Sequence, residues 1–281
     1  MKKKIILGKG KERMINKFDI LERVVVITGG AGLLGSMHAE AIAENRGIPI
    51  LFDNNFSRAK KKAKEIQEKY NVLCLPFKGD VTKEKDINDL IKFLARKKLK
   101  IDVLINNAAA NPKLNKKNNT NAFDKFLLKN WNFELNVGLT GAFLCSKLMG
   151  KKMLENKKGV IINISSDLGI ISPDQRIYRN RKKNFFHKPV TYSVIKHGII
   201  GLTKYLATYW ADKGIRVNCL CPGGVYEKQE KFFLNKIQNL IPMGRMANPD
   251  EYKGAIQFLA SDASSYMNGA TMIVDGGRTI W

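Results

Sequence analysis

Cysteine and histidine are scarce in this chain, whose 281 residues include four cysteines and three histidines. The separations between Cys74, Cys145, Cys219 and Cys221 fit neither a disulfide framework nor a set of metal ligands. We therefore expect no structural disulfide and no metal site. Free thiols are typical of a reducing compartment, so the sequence predicts a cytoplasmic location.

Long apolar runs are also missing. The basic start at residues 1–4 is followed by only three apolar residues, at 5–7, before glycine and lysine resume. This run is far too short for a signal peptide or a membrane-spanning helix. We expect no membrane partner.

Acidic residues are outnumbered by basic ones, 25 against 49, which gives a formal net charge of +24. A positive field of this kind attracts nucleic acids, anionic membranes and acidic substrates. The lysines, however, are spread evenly along the chain, without the aromatic signature of an RNA-binding module. We expect a small-molecule partner and no specific nucleic-acid partner.

Short apolar runs alternate with longer amphipathic segments from about residue 21 onward, which is the pattern of βαβ units. Strands are predicted at 23–27, 48–52, 72–77, 101–105, 159–164, 215–219 and 271–274. Helices are predicted at 34–46, 57–69, 84–97, 123–154, 190–212 and 249–260. Because crossovers between parallel strands are right-handed, the helices cover both faces of the sheet. The sequence thus predicts an α/β fold with a doubly wound, seven-stranded parallel sheet, as one domain over residues 21–281 after a basic extension over residues 1–20.

A glycine-rich turn, TGGAGLLG at residues 28–35, follows the first predicted strand and leads into a helix. Glycines let backbone amides approach a pyrophosphate, and the helix N-terminus supplies free N–H donors and a positive dipole. Gly30, Gly32 and Gly35 have the G-x-G-x-x-G spacing of dinucleotide-binding turns. The spacing also occurs in tight turns without a ligand, but its position between a strand and a helix favours a dinucleotide.

Asp53 ends the next predicted strand, 24 residues after Gly29. A carboxylate at this position accepts hydrogen bonds from the adenosine ribose and repels the extra phosphate of NADP. The glycine turn has no basic residue that could bind that phosphate, although Arg58 and Lys60 lie nearby. We expect NAD as the cofactor rather than NADP.

Tyr192 and Lys196 are four residues apart, on one face of a predicted helix. A free tyrosine has a pKa of about 10 and is a poor base at neutral pH. A nearby ammonium group favours the phenolate and lowers this pKa towards the working range. The pair is a candidate for acid–base catalysis, although the spacing alone also fits two surface residues.

These motifs occur in the order typical of the short-chain dehydrogenase/reductase family, which the chain closely resembles over residues 23–277. The shared segments are 28–35, Asp80-Val81, Asn106 to Ala109, Asn136, Ile164 to Ser166, Tyr192 to Lys196, Pro222-Gly223 and Asp275 to Gly277. The resemblance implies a Rossmann fold and hydride transfer between a nicotinamide cofactor and a hydroxyl or keto carbon.

The resemblance also implies roles for individual residues. Ser166 would hold the substrate oxygen, and Tyr192 would exchange a proton with it. Lys196 would lower the pKa of Tyr192 and bind the nicotinamide ribose, while Asn136 would anchor a water molecule that relays protons. Besides Tyr192 and Lys196, the implied cofactor-binding residues are Gly29, Gly30, Ala31, Gly32, Leu34, Gly35, Asp53, Asn54, Asp80, Val81, Asn107, Ala108, Ala109, Pro222, Gly223 and Val225.

The interval between the serine and the tyrosine is 26 residues, about twice the usual length in the family. It therefore contains an insertion, at about 172–189, at the mouth of the active site. Arg176, Arg179 and His187 lie in this insertion, and arginine offers bidentate recognition of carboxylate or phosphate. We predict that these three residues bind an anionic sugar, such as a sugar phosphate or a nucleotide sugar. The alternative is a solvated charged loop.

Two parts of this interval, DQRIY at 174–178 and KPVTY at 188–192, resemble oxidoreductases of flagellin and surface-polysaccharide modification. This narrower resemblance implies a role in the biosynthesis of a surface glycan. The family resemblance further implies a homotetramer or homodimer, joined through the helices predicted at 123–154 and 190–212.

Two other functions stay open on the sequence. The turn has Leu33 where simple dehydrogenases keep glycine, and its T-G-x-x-G-x-x-G spacing is typical of NAD-dependent nucleotide-sugar epimerases and dehydratases. Against this, the chain closes at 275–277 without the separate substrate domain of those enzymes. The second alternative is a non-catalytic NAD-binding regulator, although the acid–base residues are intact.

Overall fold

Seven parallel strands form one sheet in the computed structural model, which describes residues 16–110, 121–179 and 187–281. The strands are β1 Val24–Thr28, β2 Ile48–Asp53, β3 Leu75–Lys78, β4 Ile101–Asn106, β5 Gly159–Ile164, β6 Ile215–Pro222 and β7 Thr271–Val274. Their order across the sheet is β3-β2-β1-β4-β5-β6-β7. The predicted seven-stranded parallel sheet is confirmed, with β3 shorter than expected.

Eight α-helices connect or flank these strands within the described ranges. They are α1 Leu33–Glu44, α2 Phe56–Tyr70, α3 Glu84–Arg96, α4 Leu128–Leu135, α5 Gly141–Glu155, α6 Val190–Tyr209, α7 Lys231–Ile237 and α8 Lys253–Ala260. Of these, α7 has no counterpart among the predicted helices. No helix in the described part of the chain is long and apolar enough to cross a membrane.

Helices pack on both faces of the sheet, as predicted. In β1, Val25 and Ile27 belong to one apolar cluster, which also contains buried residues of α1, α2 and α8. Val24 and Val26 belong to the other, with buried residues of α3, α5 and α6. Both side-chain directions of β1 are therefore buried, which explains why its sequence is continuously apolar instead of alternating.

The prediction of a single helix over 123–154 was wrong. The structure has a 3₁₀ turn at Phe123–Lys125, then α4, then a π-helical segment at Asn136–Thr140, then α5. Close packing accounts for the glycines of this region, because a Cβ on Gly138 would lie 2.8 Å from Cγ2 of Ile195. The π-helix inserts an extra residue into the turn and so changes which side chains face the sheet.

The predicted division into an extension and a domain stays a prediction, because residues 1–15 lie outside the described ranges. Ile20, which was placed in the extension, is fully buried and belongs to the apolar cluster around α1.

His38 lies in α1 and is fully buried, and neither of its ring nitrogens has a hydrogen-bond partner among the described residues. Burial penalises the charged form and lowers the pKa of His38 from 6.5 to about 3. The folded protein therefore keeps this ring neutral at a pH where the unfolded chain binds a proton. The free energy of unfolding must fall as the pH decreases below 6.5.

We predict that His38→Leu makes the stability of the protein less dependent on pH. Between about pH 7.5 and about pH 5 the parent should lose about 2 kcal/mol of stability through this one group, and the variant should not. Urea unfolding at the two pH values measures the difference. His197→Gln is the matched control, because His197 is exposed. Equal pH slopes in the parent and His38→Leu would show that His38 is protonated in the folded state.

Candidate active site

The glycine-rich turn connects β1 to α1 at the carboxyl edge of the sheet. Gly29 has a φ of +61°, in the left-handed region that favours glycine. A Cβ on Gly35 would lie 2.2 Å from the carbonyl oxygen of Gly29, so the turn closes only with glycine at this position. Gly32 is the N-cap residue of α1, which has no side-chain cap and no acidic residue in its first turn. The backbone amides at this helix N-terminus therefore stay available to an anion, and the cradle fits a pyrophosphate.

Asp53 lies beside this turn at the end of β2, as the sequence predicts. Its Oδ2 accepts a hydrogen bond from the amide of Ala31 at 3.0 Å, and its Oδ1 accepts one from Asn55 at 2.9 Å. Each carboxylate oxygen has two lone pairs, so both retain capacity for ribose hydroxyl groups. Asn54, also predicted to bind the cofactor, follows as an exposed residue.

The segment after β4 supports the turn from the opposite side. The side-chain amide of Asn107 donates to the carbonyl oxygen of Thr28 at 3.0 Å. The Thr28 hydroxyl oxygen accepts from the backbone amides of Asn107 and Ala108, both at 3.0 Å. Asn107 therefore holds the turn in shape, and Ala109 is exposed next to it. Their predicted contacts with the adenosine ribose stay a prediction.

Apart from Leu34 on α1, the remaining predicted cofactor residues lie at or just after the carboxyl ends of β3 and β6. Asp80 accepts hydrogen bonds from the amide and hydroxyl of Thr82, at 2.9 and 2.8 Å. Gly223 donates its amide to Val274 at 2.9 Å, and Val225 forms an isolated bridge with Ala247. The residues in this group are Leu34, Asp80, Val81, Pro222, Gly223 and Val225. All of them lie on the edge of the sheet that carries the glycine turn or, for Leu34, on α1.

Ser166 and Tyr192 meet at the carboxyl end of β5. Ser166 is buried, and its hydroxyl donates to Oδ1 of Asp167 at 2.6 Å. Tyr192 lies in the first turn of α6. Burial raises the pKa of the Tyr192 phenol, and a hydrogen bond with Ser166 opposes this effect by lowering it. The two hydroxyl groups predicted to act on the substrate oxygen therefore lie close to each other.

Lys196 lies one helical turn after Tyr192. Its Nζ donates to the carbonyl oxygen of Ile164 at 2.8 Å and lies 5.8 Å from the centre of the Tyr192 ring. Burial lowers the pKa of Lys196 to about 8. The structure thus brings the predicted ammonium and phenol together, on one face of a helix.

Asn136 marks the junction between α4 and the π-helical segment. Its carbonyl oxygen accepts the amide of Gly141 across the wider π-helical turn, and the residue is exposed. π-helical turns often occur at functional sites. Its predicted role in holding a water molecule stays a prediction.

Sequence reasoning missed two buried polar pairs beside these residues. Asp167 accepts a hydrogen bond from Arg278 at 2.7 Å in an ion pair whose side chains are 4% and 6% exposed. Glu134 of α4 is buried and accepts a hydrogen bond from the hydroxyl of Thr191. The position of Asp167 directly after Ser166 could have marked it as a site residue. Its pairing with Arg278 could not be predicted, because the two residues are 111 positions apart in the sequence.

The predicted substrate residues lie at the edge of the site. Arg176 forms a bidentate pair with Asp174, with Nε–Oδ1 and Nη2–Oδ2 distances of 2.9 and 2.8 Å, and its side chain is 81% exposed. Arg179 is exposed, His187 is half-buried, and residues 180–186 of the insertion lie outside the described ranges. The assignment of these residues to the substrate stays a prediction.

Lys188 is a cation of the insertion that the sequence analysis did not select. Its Nζ lies 3.7 Å from the centre of the Tyr192 ring, closer than that of Lys196. Burial lowers the pKa of Lys188 to about 8.

Within the described ranges, no cluster of three or more histidine, cysteine, aspartate or glutamate side chains could hold a metal ion.

Comparison with known proteins identifies the family to which the chain belongs. A family model described as enoyl-(acyl carrier protein) reductase matches residues 33–279. The chain is 34% identical over 274 residues to an NADP-dependent mannitol dehydrogenase from Alternaria alternata, covering 94% of each chain. It is 30% identical over 268 residues to a D-threitol dehydrogenase from Mycolicibacterium smegmatis, covering 94% of this chain and 95% of that one.

A solved structure shows the same architecture. A gluconate 5-dehydrogenase from Burkholderia cenocepacia, in complex with NADP and tartrate, aligns with a TM-score of 0.82 and 26% identity over 94% of this chain and 98% of that chain. These relatives cover 94% of the chain, and the residues matched by the family model, 33–279, include Ser166, Tyr192 and Lys196. The chain therefore belongs to the short-chain dehydrogenase/reductase family of NAD(P)-dependent oxidoreductases.

Proposed function

We propose that this protein is an NAD-preferring dehydrogenase that interconverts a hydroxyl and a keto group on a sugar or sugar derivative with an anionic group. The observation that carries the proposal is the meeting of Ser166, Tyr192 and Lys196 at the end of β5, on the edge of the sheet that also carries the glycine turn. These are the groups needed to hold a substrate oxygen and to move its proton.

The chemistry follows from the positions of these side chains. A nicotinamide cofactor, when bound, supplies or accepts the hydride. In the oxidative direction Tyr192 takes the proton from the substrate hydroxyl, and in the reductive direction it returns a proton to the keto oxygen. The ammonium of Lys196 stabilises the phenolate form of Tyr192. Asp167 and its partner Arg278 fix the orientation of the Ser166 hydroxyl, which contacts the same oxygen.

The substrate class is inferred from two kinds of support. The named relatives act on mannitol, threitol and gluconate, which are polyols or a sugar acid. The insertion contributes the basic side chains of Arg176, Arg179 and Lys188 at the mouth of the site. A cytoplasmic role in surface-glycan biosynthesis belongs to the same proposal, on the resemblance of segments 174–178 and 188–192.

The alternative of a nucleotide-sugar epimerase or dehydratase has less support. It was based on the spacing of the glycine turn alone. The comparisons favour a dehydrogenase instead, because the chain covers 94–95% of the length of the two curated dehydrogenases named above. The regulator alternative would need a site without acid–base groups, and here Tyr192 and Lys196 are in place.

We also propose that the protein is a homodimer or homotetramer. Several large apolar side chains on α4, α5 and α6 are exposed, which is typical of an interaction surface. They include Leu128, Phe133 and Phe143, and the stacked rings of Tyr205 and Tyr209 on α6.

Tyr192→Phe should remove most turnover and leave NAD affinity within a few-fold of the parent, because the ring remains and the proton carrier is lost. General acid–base catalysis contributes about 10²–10⁴-fold, so kcat should fall in that range. Steady-state kinetics give kcat, and quenching of protein fluorescence gives the NAD affinity. Turnover of the variant within a few-fold of the parent would exclude Tyr192 as the proton carrier.

The cofactor preference is tested separately, since the Alternaria mannitol dehydrogenase is NADP-dependent and the Burkholderia structure holds NADP. We expect this protein to have a higher kcat/KM with NAD, because the Asp53 carboxylate repels the additional phosphate of NADP. Asp53→Ala should weaken the binding of NAD and lower the ratio of kcat/KM with NAD to kcat/KM with NADP. A parent enzyme that prefers NADP would overturn this part of the proposal.

A further inference from the structure

Lys188 is the charged side chain nearest to the reacting tyrosine ring for which the structure shows no polar partner. Its Nζ forms no hydrogen bond or ion pair with any described residue, and its contact with Tyr192 is through the face of the ring, 3.7 Å from the ring centre. The side chain is half-buried, so its charge has lost part of its hydration. Such a group is costly unless another charge or polar group binds it.

The other charges around Tyr192 are already satisfied within the protein. Asp167 pairs with Arg278, the Glu134 carboxylate accepts from a threonine hydroxyl, and Lys196 donates to a backbone carbonyl. None of these hydrogen bonds involves Lys188, and the carboxylates of Asp167 and Glu134 attract its charge without binding it directly. Its ammonium is therefore the cation of the described site that is available to a ligand.

The backbone holds Lys188 in place before any ligand binds. The amide of Lys188 donates to Oε1 of Gln175 at 2.9 Å, and Nε2 of Gln175 donates to the carbonyl oxygen of Lys188 at 3.3 Å. Pro189, which comes next, is the N-cap residue of α6. These contacts limit the entropy lost when Lys188 orders around a ligand.

The position of Arg176 makes it a weaker candidate for the same role. Its guanidinium is already bidentate with Asp174, and its side chain is largely exposed, so a new ion pair there would be screened by solvent. A contact made by Lys188 is more shielded and lies beside the phenol that moves the proton.

We propose that Lys188 binds an anionic group of the substrate, a carboxylate or a phosphate, and so selects acidic sugars over neutral polyols. The inference rests on the proposed function, since it places the anion on the molecule whose oxygen reacts with Tyr192. The lysine ammonium is carried by a flexible stem of four carbons on a fixed backbone, so it can reach an anion on a carbon near the reacting one. The resulting contact is a charge-assisted hydrogen bond, present in the bound substrate as well as in the transition state.

The test compares D-gluconate and D-mannitol 1-phosphate with D-mannitol, at saturating NAD. Lys188→Met should raise KM for the acidic compounds by roughly tenfold or more, with a much smaller change in KM for D-mannitol and a similar change in kcat for all three compounds. Lys188→Arg should restore part of the lost affinity. The two acids show whether the site prefers carboxylate or phosphate. Lys92→Met on α3 is the control for the loss of one surface charge, since its side chain is 69% exposed.

Two outcomes would overturn the proposal. One is an equal loss of activity with acidic and neutral substrates together with a shift in the pH profile of kcat, which would show that Lys188 acts on the pKa of Tyr192. The other is a Lys188→Met variant with the parental KM for both acids. The melting temperature and NAD affinity of each variant establish that it is folded, and Lys188→Gln replaces Lys188→Met if the latter does not fold.

A failure of the proposed function can be told apart from a failure of this inference. If the parent oxidises none of the three compounds, the proposed function is wrong, and calorimetric titration of the protein–NAD complex with the same compounds decides the role of Lys188. Binding of an acid to the parent that is lost in Lys188→Met supports the inference. Equal binding to both proteins, or none to the parent, contradicts it.

Discussion

The order of strands reverses between β1 and β4, and the position of every group in the site depends on this reversal. The chain first builds outward from β1 to β3 and then returns to the other side of β1, where β4 to β7 follow. With right-handed crossovers, the connections after β1 and β4 leave the sheet on opposite faces, and a crevice opens between them at the carboxyl edge. The glycine turn with Asp53 lies on one side of this point, and Ser166 and Tyr192 follow from β5 on the other.

The buried charge next to Ser166 is paired within the protein. An ion pair removed from water contributes little to stability by itself, but breaking one partner away leaves an uncompensated charge that costs several kcal/mol. The Asp167–Arg278 pair is of this kind, and the same carboxylate accepts the hydrogen bond of the Ser166 hydroxyl, so it connects Arg278 to the proposed catalytic serine. We infer that this pair serves to orient the Ser166 hydroxyl rather than to stabilise the fold.

Much of the fold could be predicted because parallel strands buried on both faces have continuous β-branched sequences, as Val24 to Ile27 show. Asp53 could be placed beside the turn because the carboxyl ends of adjacent parallel strands meet at one edge. The π-helical segment could not be predicted, since it depends on contacts such as Gly138 with Ile195, which only the folded chain brings together. The same holds for Arg278 and for the position of Lys188 over the Tyr192 ring.

In the proposed function, this site couples reduction of a nicotinamide cofactor to oxidation of a hydroxyl group on a sugar-like substrate. The most direct test is to incubate the protein with NAD and a panel of polyols, sugar acids and sugar phosphates, and to follow NADH absorbance while the product is identified by mass spectrometry. We expect NADH formation matched by an equal amount of a product that has lost two hydrogen atoms. A product isomeric with its substrate and no net NADH, or no conversion of any compound in the panel, would contradict it.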